Sequence, residues 1–139
     1  MNLGMATTKT IFTNGCFDIL HRGHIELFKY AKSLGDTLIV GVDSDVKVKR
    51  DKGPSRPHNS LADRVLMLKA VRYIDEVCTF NDTEELENLV AMVSPNIMVI
   101  GSDWRGKTVI GQEYTEELKF FERLGGYSTT NILEKNEEF

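Results

Sequence analysis

Short apolar stretches and segments with helical spacing of apolar residues alternate along this chain from end to end. Short apolar runs predict buried strands, and they lie at residues 9–13, 37–42, 76–80 and 96–100. Apolar side chains recur at helical spacing over residues 23–34, and Gly35 follows as a helix C-cap. Further helices are predicted from Ser60 onward and over residues 83–93, where capping or acidic residues open the segment. Strands separated by helices predict an α/β fold with an open parallel sheet.

The remaining segments complete the expected architecture. Residues 43–59 are polar and are interrupted by glycine and proline, so they are predicted to form a loop. Residues 112–124 have a helical pattern but fit a final strand equally well, and a last helix is predicted at 131–135. The sequence therefore predicts a Rossmann-like sheet of about five strands flanked by helices. We expect one domain over residues 1–139, with residues 1–8 as a flexible extension.

Composition and charge restrict the class of protein. With 41% hydrophobic and 27% charged residues, the chain has the composition of a soluble globular domain, and its apolar runs are too short to cross a bilayer. We find no secretory signal, and two cysteines make no disulfide framework, so a cytoplasmic location is expected. A net charge of -4 argues against nucleic-acid binding. An anionic ligand must therefore be bound by local positive charge.

Candidate chemistry follows the first predicted strand. His21 and His24 are three residues apart at a predicted helix start, so both imidazoles can face one ligand. Gly23 lies between them and leaves the backbone open to a phosphate, which a helix N-terminus favours. The alternatives are a pair of surface histidines or half of a zinc site. Zinc needs further ligands, and the remaining histidine, His58, lies in a distant loop. Neither the dinucleotide fingerprint nor the P-loop motif is present.

Two motifs carry a resemblance to a known family. Residues 15–24, GCFDILHRGH, closely resemble the G-x-F-D-x-x-H-x-G-H motif of the cytidylyltransferase family of nucleotidyltransferases. Residues 123–130, RLGGYSTT, look like that family's R-x-x-G-x-S-T-T motif. The resemblance extends over nearly the whole chain from Lys9. It implies transfer of a nucleotidyl group from a nucleoside triphosphate to a phosphorylated alcohol or sugar, with release of pyrophosphate.

The resemblance also assigns roles to individual residues. The implied catalytic residues are His21, His24, Lys49 and Arg123. The implied nucleotide-binding residues are Asn14, Gly15, Cys16, Phe17, Asp103, Ser128, Thr129 and Thr130. The implied acceptor-binding residues are Asp18, Lys52, Arg64, Arg72 and Asp75. Mg²⁺ is expected to enter with the nucleotide, no residue is assigned as a metal ligand, and a homodimer is expected.

Two of these assignments compete with simpler explanations. The basic segment 45–56 is typical of a solvated charged loop, although its position after the second strand favours a role in phosphate binding. Cys16 lies in an electropositive turn that would lower the pKa of its thiol, yet the transfer requires no covalent nucleophile, so we interpret Cys16 as a spacer. Cys78 is expected in the core.

The sequence resembles two branches of the family. The stretches 13–18, 49–57 and 128–132 look like heptose 1-phosphate adenylyltransferase, which uses ATP. The stretches 71–77 and 103–107 look like glycerol 3-phosphate cytidylyltransferase, which uses CTP. The distance from Asp103 to Ser128 favours the cytidylyltransferase branch, which is our main prediction. An alternative of another class is a nucleotide-binding module without turnover.

Overall fold

A computed structural model describes residues 8–122. Five strands form one sheet in the order β3-β2-β1-β4-β5, and all four pairings are parallel. The strands are β1 (Thr10–Gly15), β2 (Thr37–Asp43), β3 (Glu76–Phe80), β4 (Ile97–Gly101) and β5 (Glu117–Phe121). The predicted parallel sheet of about five strands is therefore confirmed.

Helices cover both faces of the sheet. They are α1 (Arg22–Ser33), α2 (Asp45–Lys52), α3 (Leu61–Lys69) and α4 (Thr83–Val93). On one face, Phe28 of α1 and Leu68 of α3 are fully buried in a core cluster with the strands. On the other face, Val90 of α4 is fully buried in a second cluster. Apolar surface on both sides of the sheet is thus removed from water, which is the main stabilising contribution for this architecture.

The prediction of a loop over residues 43–59 was wrong in its first half, because α2 lies there. The Ser44 hydroxyl caps this helix by accepting a hydrogen bond from the Lys47 N–H at 3.2 Å, and Gly53 ends it at φ 108°. Val48 is the residue of α2 that is buried. With a single buried position, the helix has too little apolar periodicity to be found by pattern.

The two possibilities for residues 112–124 are resolved in favour of a strand. β5 pairs in parallel with β4, with Leu118 opposite Met98 and Phe120 opposite Ile100. The helical pattern is limited to a short 3-10 turn at Gln112–Tyr114. Gly35 also differs from its predicted role, since the C-cap of α1 is Leu34.

The order of the strands creates a crevice in the middle of the sheet. The chain passes from β1 to β2 and β3 on one side, and then returns to β4 on the other side of β1. β1 and β4 therefore flank a topological switch point, beyond whose carboxyl ends open α/β sheets bind ligands. No helix within the described residues is long and apolar enough to span a membrane. Residues 1–7 of the predicted extension and the predicted helix at 131–135 lie outside the described residues.

Candidate active site

A cleft of about 490 Å³ lies at the carboxyl ends of the central strands. Its volume is in the range of small-molecule binding sites. The cleft is lined by Thr13, Asn14, Gly15, Leu27, Asp43, Lys47, Asp51, Thr83, Leu86, Ile100, Gly101, Trp104, Val109 and Ile110. These residues come from β1, β2 and β4, from the helices beside them and from the segment that precedes β5. The cleft thus lies at the switch point that the strand order defines.

The loop from β1 to α1 has an unusual backbone that is fixed by packing. Phe17 has φ 49°, in the left-handed region that residues other than glycine rarely adopt. Its ring is buried, 5.2 Å from the ring of Phe28 and 5.3 Å from that of His24 between centroids. A Cβ on Gly15 would lie 3.0 Å from Cζ of Phe17, so a larger residue at this position would press on that ring. The loop is therefore shaped by an aromatic side chain inserted into the core.

His21 and His24 form a reciprocal capping box at the start of α1. Nδ1 of His21 accepts a hydrogen bond from the Gly23 N–H at 3.1 Å, and Nδ1 of His24 accepts one from the His21 N–H at 3.3 Å. The two rings are stacked, with centroids 3.8 Å apart and planes 25° from parallel. Because a nitrogen that accepts an N–H carries no proton, each neutral imidazole has its proton on Nε2.

This arrangement gives the helix start two N–H donors in addition to its backbone. The Nε2–H groups of His21 and His24 belong to stacked rings, so they are close to each other. The N-terminus of a 12-residue helix adds the positive end of its dipole. Such a site is suited to phosphate oxygens, particularly where negative charge develops during a reaction.

Asp18, one of the predicted acceptor ligands, instead binds the protein's own backbone. Its carboxylate is 1% exposed and accepts hydrogen bonds from the His58 N–H at 2.7 Å, the Asn59 N–H at 2.8 Å and Arg56 Nε at 3.1 Å. Burial by itself would raise the pKa of Asp18, but these donors lower it overall. Asp18 therefore joins the loop after β1 to the segment before α3.

Arg64 likewise has no surface for an acceptor, because its side chain is 0% exposed. Nε donates to the Asn59 carbonyl at 3.1 Å, and Nη1 donates to the carbonyls of Cys16 at 2.9 Å and Asp43 at 2.7 Å. Nη2 donates to Oδ1 of Asp45 at 2.7 Å. The contacts of this residue in the structure are thus with the protein itself.

Arg72 and Asp75 lie toward the amino ends of the strands, opposite the cleft. Oδ2 of Asp75 accepts hydrogen bonds from the Leu38 N–H at 2.7 Å and from Lys32 Nζ at 2.6 Å. Leu38 is near the amino end of β2, whereas the cleft is at the carboxyl ends. Arg72 is three residues before Asp75 and places its guanidinium over the ring of Tyr73 at 5.3 Å. The structure does not bring these two residues together with the histidines.

Sequence reasoning missed one wall of the cleft, which α2 and the end of β2 provide. Nζ of Lys47 lies 2.7 Å from Oδ2 of Asp51 and 3.8 Å from Oδ2 of Asp43. Burial raises the pKa of Asp43, and Lys47 offsets part of that effect. The signal for this wall is the i, i+4 spacing of Lys47 and Asp51, which has meaning only once a helix is recognised there. The predicted ligands Lys49 and Lys52 are exposed on the same helix.

The remaining predicted site residues fall into three groups. Asp103 lies in the 3-10 turn Ser102–Trp104 after β4, next to Trp104, which lines the cleft and is 48% exposed. Cys16 is buried, and burial raises the pKa of its thiol more than nearby Lys52 and Arg64 lower it, which disfavours a thiolate nucleophile. Arg123, Ser128, Thr129 and Thr130 lie outside the described residues.

Within residues 8–122, no group of three His, Cys, Asp or Glu side chains is arranged to bind a metal ion.

The fold and the site define a class of protein: an open α/β domain with a helix start suited to anions and a cleft at the switch point of its sheet. The chain belongs to the cytidylyltransferase-like family of nucleotidyltransferases, whose family model matches residues 12–138. The similarity thus includes the described cleft and most of the residues that follow β5.

Curated relatives and solved structures are similar to this chain. The bifunctional protein HldE of Sulfurimonas denitrificans is 49% identical over 127 residues, which are 91% of this chain and 26% of that protein. The bifunctional protein HldE of Aliarcobacter butzleri is 42% identical over 137 residues, which are 99% of this chain and 28% of that protein. The chain therefore spans about a quarter of the length of these curated relatives.

Two crystal structures share the fold at lower sequence identity. The lipopolysaccharide core biosynthesis protein from Thermoplasma volcanium has a TM-score of 0.68 at 24% identity, covering 88% of this chain and 100% of that one. Pantoate-beta-alanine ligase from Francisella tularensis, complexed with beta-gamma ATP and beta-alanine, has a TM-score of 0.61 at 15% identity, covering 94% of this chain and 69% of that one. These likenesses establish the fold alone.

Proposed function

We propose that this chain transfers an adenylyl group from ATP to a sugar 1-phosphate of the heptose type and releases pyrophosphate. The observation that carries the nucleotidyl transfer is the pair of stacked histidines, His21 and His24, whose Nδ1 atoms both accept backbone N–H groups at the start of α1. The choice of branch is supported by the similarity to HldE proteins at 42–49% identity, together with the motif resemblance to heptose 1-phosphate adenylyltransferase. This evidence favours the alternative over our main prediction of a CTP-dependent enzyme.

The proposed reaction is a direct displacement at the α-phosphorus. An oxygen of the acceptor's phosphate forms a new bond to that phosphorus, and the bond from the phosphorus to the bridging oxygen breaks. The electron pair of that bond leaves with pyrophosphate. Since the attacking phosphate oxygen is already anionic, no proton has to be removed from it. Positioning and stabilisation of charge therefore supply the catalysis.

The residues that we assign to this reaction surround the triphosphate. The Nε2–H groups of His21 and His24 donate to phosphate oxygens on which charge accumulates. Lys49 and Lys52 contribute positive charge from α2, and the residues assigned after β5 are Arg123, Ser128, Thr129 and Thr130. Asn14, Gly15 and Asp103 contact the nucleotide. Mg²⁺ enters as part of the nucleotide substrate, because a divalent cation commonly neutralises a triphosphate.

The experiment is a grid of two nucleotides and two acceptors with pyrophosphate release as the readout. ATP and CTP are each combined with heptose 1-phosphate and with glycerol 3-phosphate in the presence of Mg²⁺. We expect turnover with ATP and heptose 1-phosphate. Turnover confined to CTP and glycerol 3-phosphate would refute the proposed substrates and establish the other branch.

Binding is followed in the same samples through the fluorescence of Trp104. This is the single tryptophan of the chain and it lines the cleft, so its emission reports occupancy directly. A fluorescence change without pyrophosphate in any combination, including a wider panel of sugar phosphates, would favour a binding module and overturn the enzymatic proposal.

The second candidate, glycerol 3-phosphate cytidylyltransferase, rests on a specific observation. The stretch 103–107 and the spacing from Asp103 to Ser128 resemble that branch, as the sequence analysis describes. The grid contains its substrates, so one data set decides between the two.

We also propose a homodimer, which sedimentation velocity tests, and a cytoplasmic location, which fractionation of the source cells tests.

A further inference from the structure

Arg64 connects three separate parts of the chain through one buried guanidinium. Nη1 donates to the carbonyls of Cys16, in the loop after β1, and Asp43, at the end of β2. Nη2 donates to Oδ1 of Asp45, in the first turn of α2. Nε donates to the carbonyl of Asn59, just before α3. The planar, rigid geometry of guanidinium fixes the relative positions of all these acceptors.

We propose that Arg64 and Asp45 form a positioning pair that holds α2 at a set distance from the histidine loop, which is the segment 16–21 between β1 and α1. This inference rests on the proposed function, because it concerns the geometry of the same site. The loop that Arg64 contacts at Cys16 leads to His21, and the helix that it contacts at Asp45 carries Lys47, which lines the cleft. Arg64 thus joins the two sides of the site without contacting a substrate.

The two residues of the pair differ in how much their side chains should contribute to stability. Arg64 is fully buried, and its removal leaves three backbone carbonyls without their donor. The side chain of Asp45 is 40% exposed, and in Asp45→Asn the amide oxygen can still accept a hydrogen bond from Nη2, so this variant should cost less stability than removal of the buried guanidinium. Removing the Asp45 carboxylate should therefore loosen α2 against the loop while the fold is kept. Such a loss affects turnover, because small misplacements of charged groups around a reacting phosphate lower the rate strongly.

The test compares Asp45→Asn with Asp63→Asn. Asp63 is a matched control, because it is also in the first turn of its helix and is exposed. We expect Asp45→Asn to lower kcat for pyrophosphate release by about tenfold, an effect of roughly 1.4 kcal/mol on the barrier, while the melting temperature stays within a few degrees of wild type. Asp63→Asn should keep wild-type kcat. Asp45→Glu, which retains the charge, should recover most of the lost activity.

Hydrogen–deuterium exchange gives a readout that is independent of activity. In Asp45→Asn, amides of α2 and of residues 16–22 should exchange faster together, whereas Asp63→Asn should leave both segments unchanged. Arg64→Lys should show the same pattern more strongly, since one ammonium cannot span the four acceptors. If Arg64→Lys does not fold, Asp45→Asn decides.

Each outcome bears on one of the two proposals. Wild-type kcat and unchanged exchange in Asp45→Asn would overturn the positioning pair, and so would equal losses in Asp45→Asn and Asp63→Asn. If the wild-type protein releases no pyrophosphate with any acceptor, the proposed function fails, and the exchange data alone decide whether Arg64 and Asp45 couple α2 to the loop.

Discussion

The capping box at the start of α1 allows the structural and catalytic roles of His21 to be separated. Nδ1 of His21 caps the helix by accepting the Gly23 N–H, whereas Nε2–H is the donor assigned to the substrate. In His21→Asn, the side-chain oxygen can take the position of Nδ1, because asparagine is among the best N-cap residues. The asparagine side chain is shorter than that of histidine and has no donor at the position of Nε2–H. His21→Ala removes both groups.

The expected magnitudes differ for the two roles. Loss of the cap in His21→Ala should cost about 1 kcal/mol of unfolding free energy, which corresponds to a melting temperature lower by about 4 °C for a chain of this size. His21→Asn should keep wild-type stability to within about 0.5 kcal/mol. Both variants should lose kcat by about 10²- to 10³-fold, the usual effect of removing one donor to a charged transition state.

The assay measures kcat from pyrophosphate release at saturating substrates, and stability by thermal and urea unfolding. His58→Asn is the control, because His58 is an exposed histidine in the loop before α3 and no role in the reaction is assigned to its side chain. It should match wild type in kcat. The reasoning is refuted if His21→Asn retains wild-type turnover, or if His21→Ala and His21→Asn melt at the same temperature.

Three further predictions concern acid stability, thiol labelling and the divalent cation. Because the pKa of Asp18 is lower in the folded protein than in the unfolded chain, its stabilising contribution is present above about pH 4 and disappears as the pH falls through the folded pKa. The free energy of unfolding of wild type, measured in urea, should therefore fall in acid. Asp18→Asn should be less stable than wild type by about 1–3 kcal/mol at neutral pH and should lose less stability in acid. Burial raises the pKa of Cys16, so iodoacetamide should modify this thiol far more slowly at pH 7 than it modifies a free thiol, and faster labelling would contradict its buried position. Excess chelator should abolish pyrophosphate release, and activity that survives it would exclude Mg²⁺ from the substrate complex.

The architecture was predictable because local pattern and tertiary burial agree in most elements. The runs at 37–42 and 96–100 are strands that lie inside a covered sheet, and α4 has strong helical periodicity. α2 was not predictable in this way, since Val48 is its buried residue and its other positions are mostly charged. The wall of the cleft that depends on α2 was missed for the same reason.

The candidate site was predictable where chemistry is encoded locally. His21, Gly23 and His24 lie within one helical turn, so their spacing alone places them together. The roles of Asp18 and Arg64 were not predictable in this way. A buried polar side chain in a motif either binds a ligand or satisfies backbone groups, and the choice depends on partners about 40 residues away along the chain, such as Asn59 for Asp18. No local pattern contains that information.

The left-handed backbone at Phe17 makes the histidine loop sensitive to temperature in a particular way. That conformation costs about 1–2 kcal/mol, and burial of the phenyl ring against Phe28 offsets it by about 1.5–3 kcal/mol. Hydrophobic stabilisation weakens on cooling, so the excess of the burial free energy of Phe17 over the cost of its left-handed backbone becomes smaller in the cold, while the hydrogen-bonded sheet persists. The phosphate contact proposed for His24 therefore depends on the apolar interior beneath the loop, and a cavity at Phe28 should weaken it as cooling does.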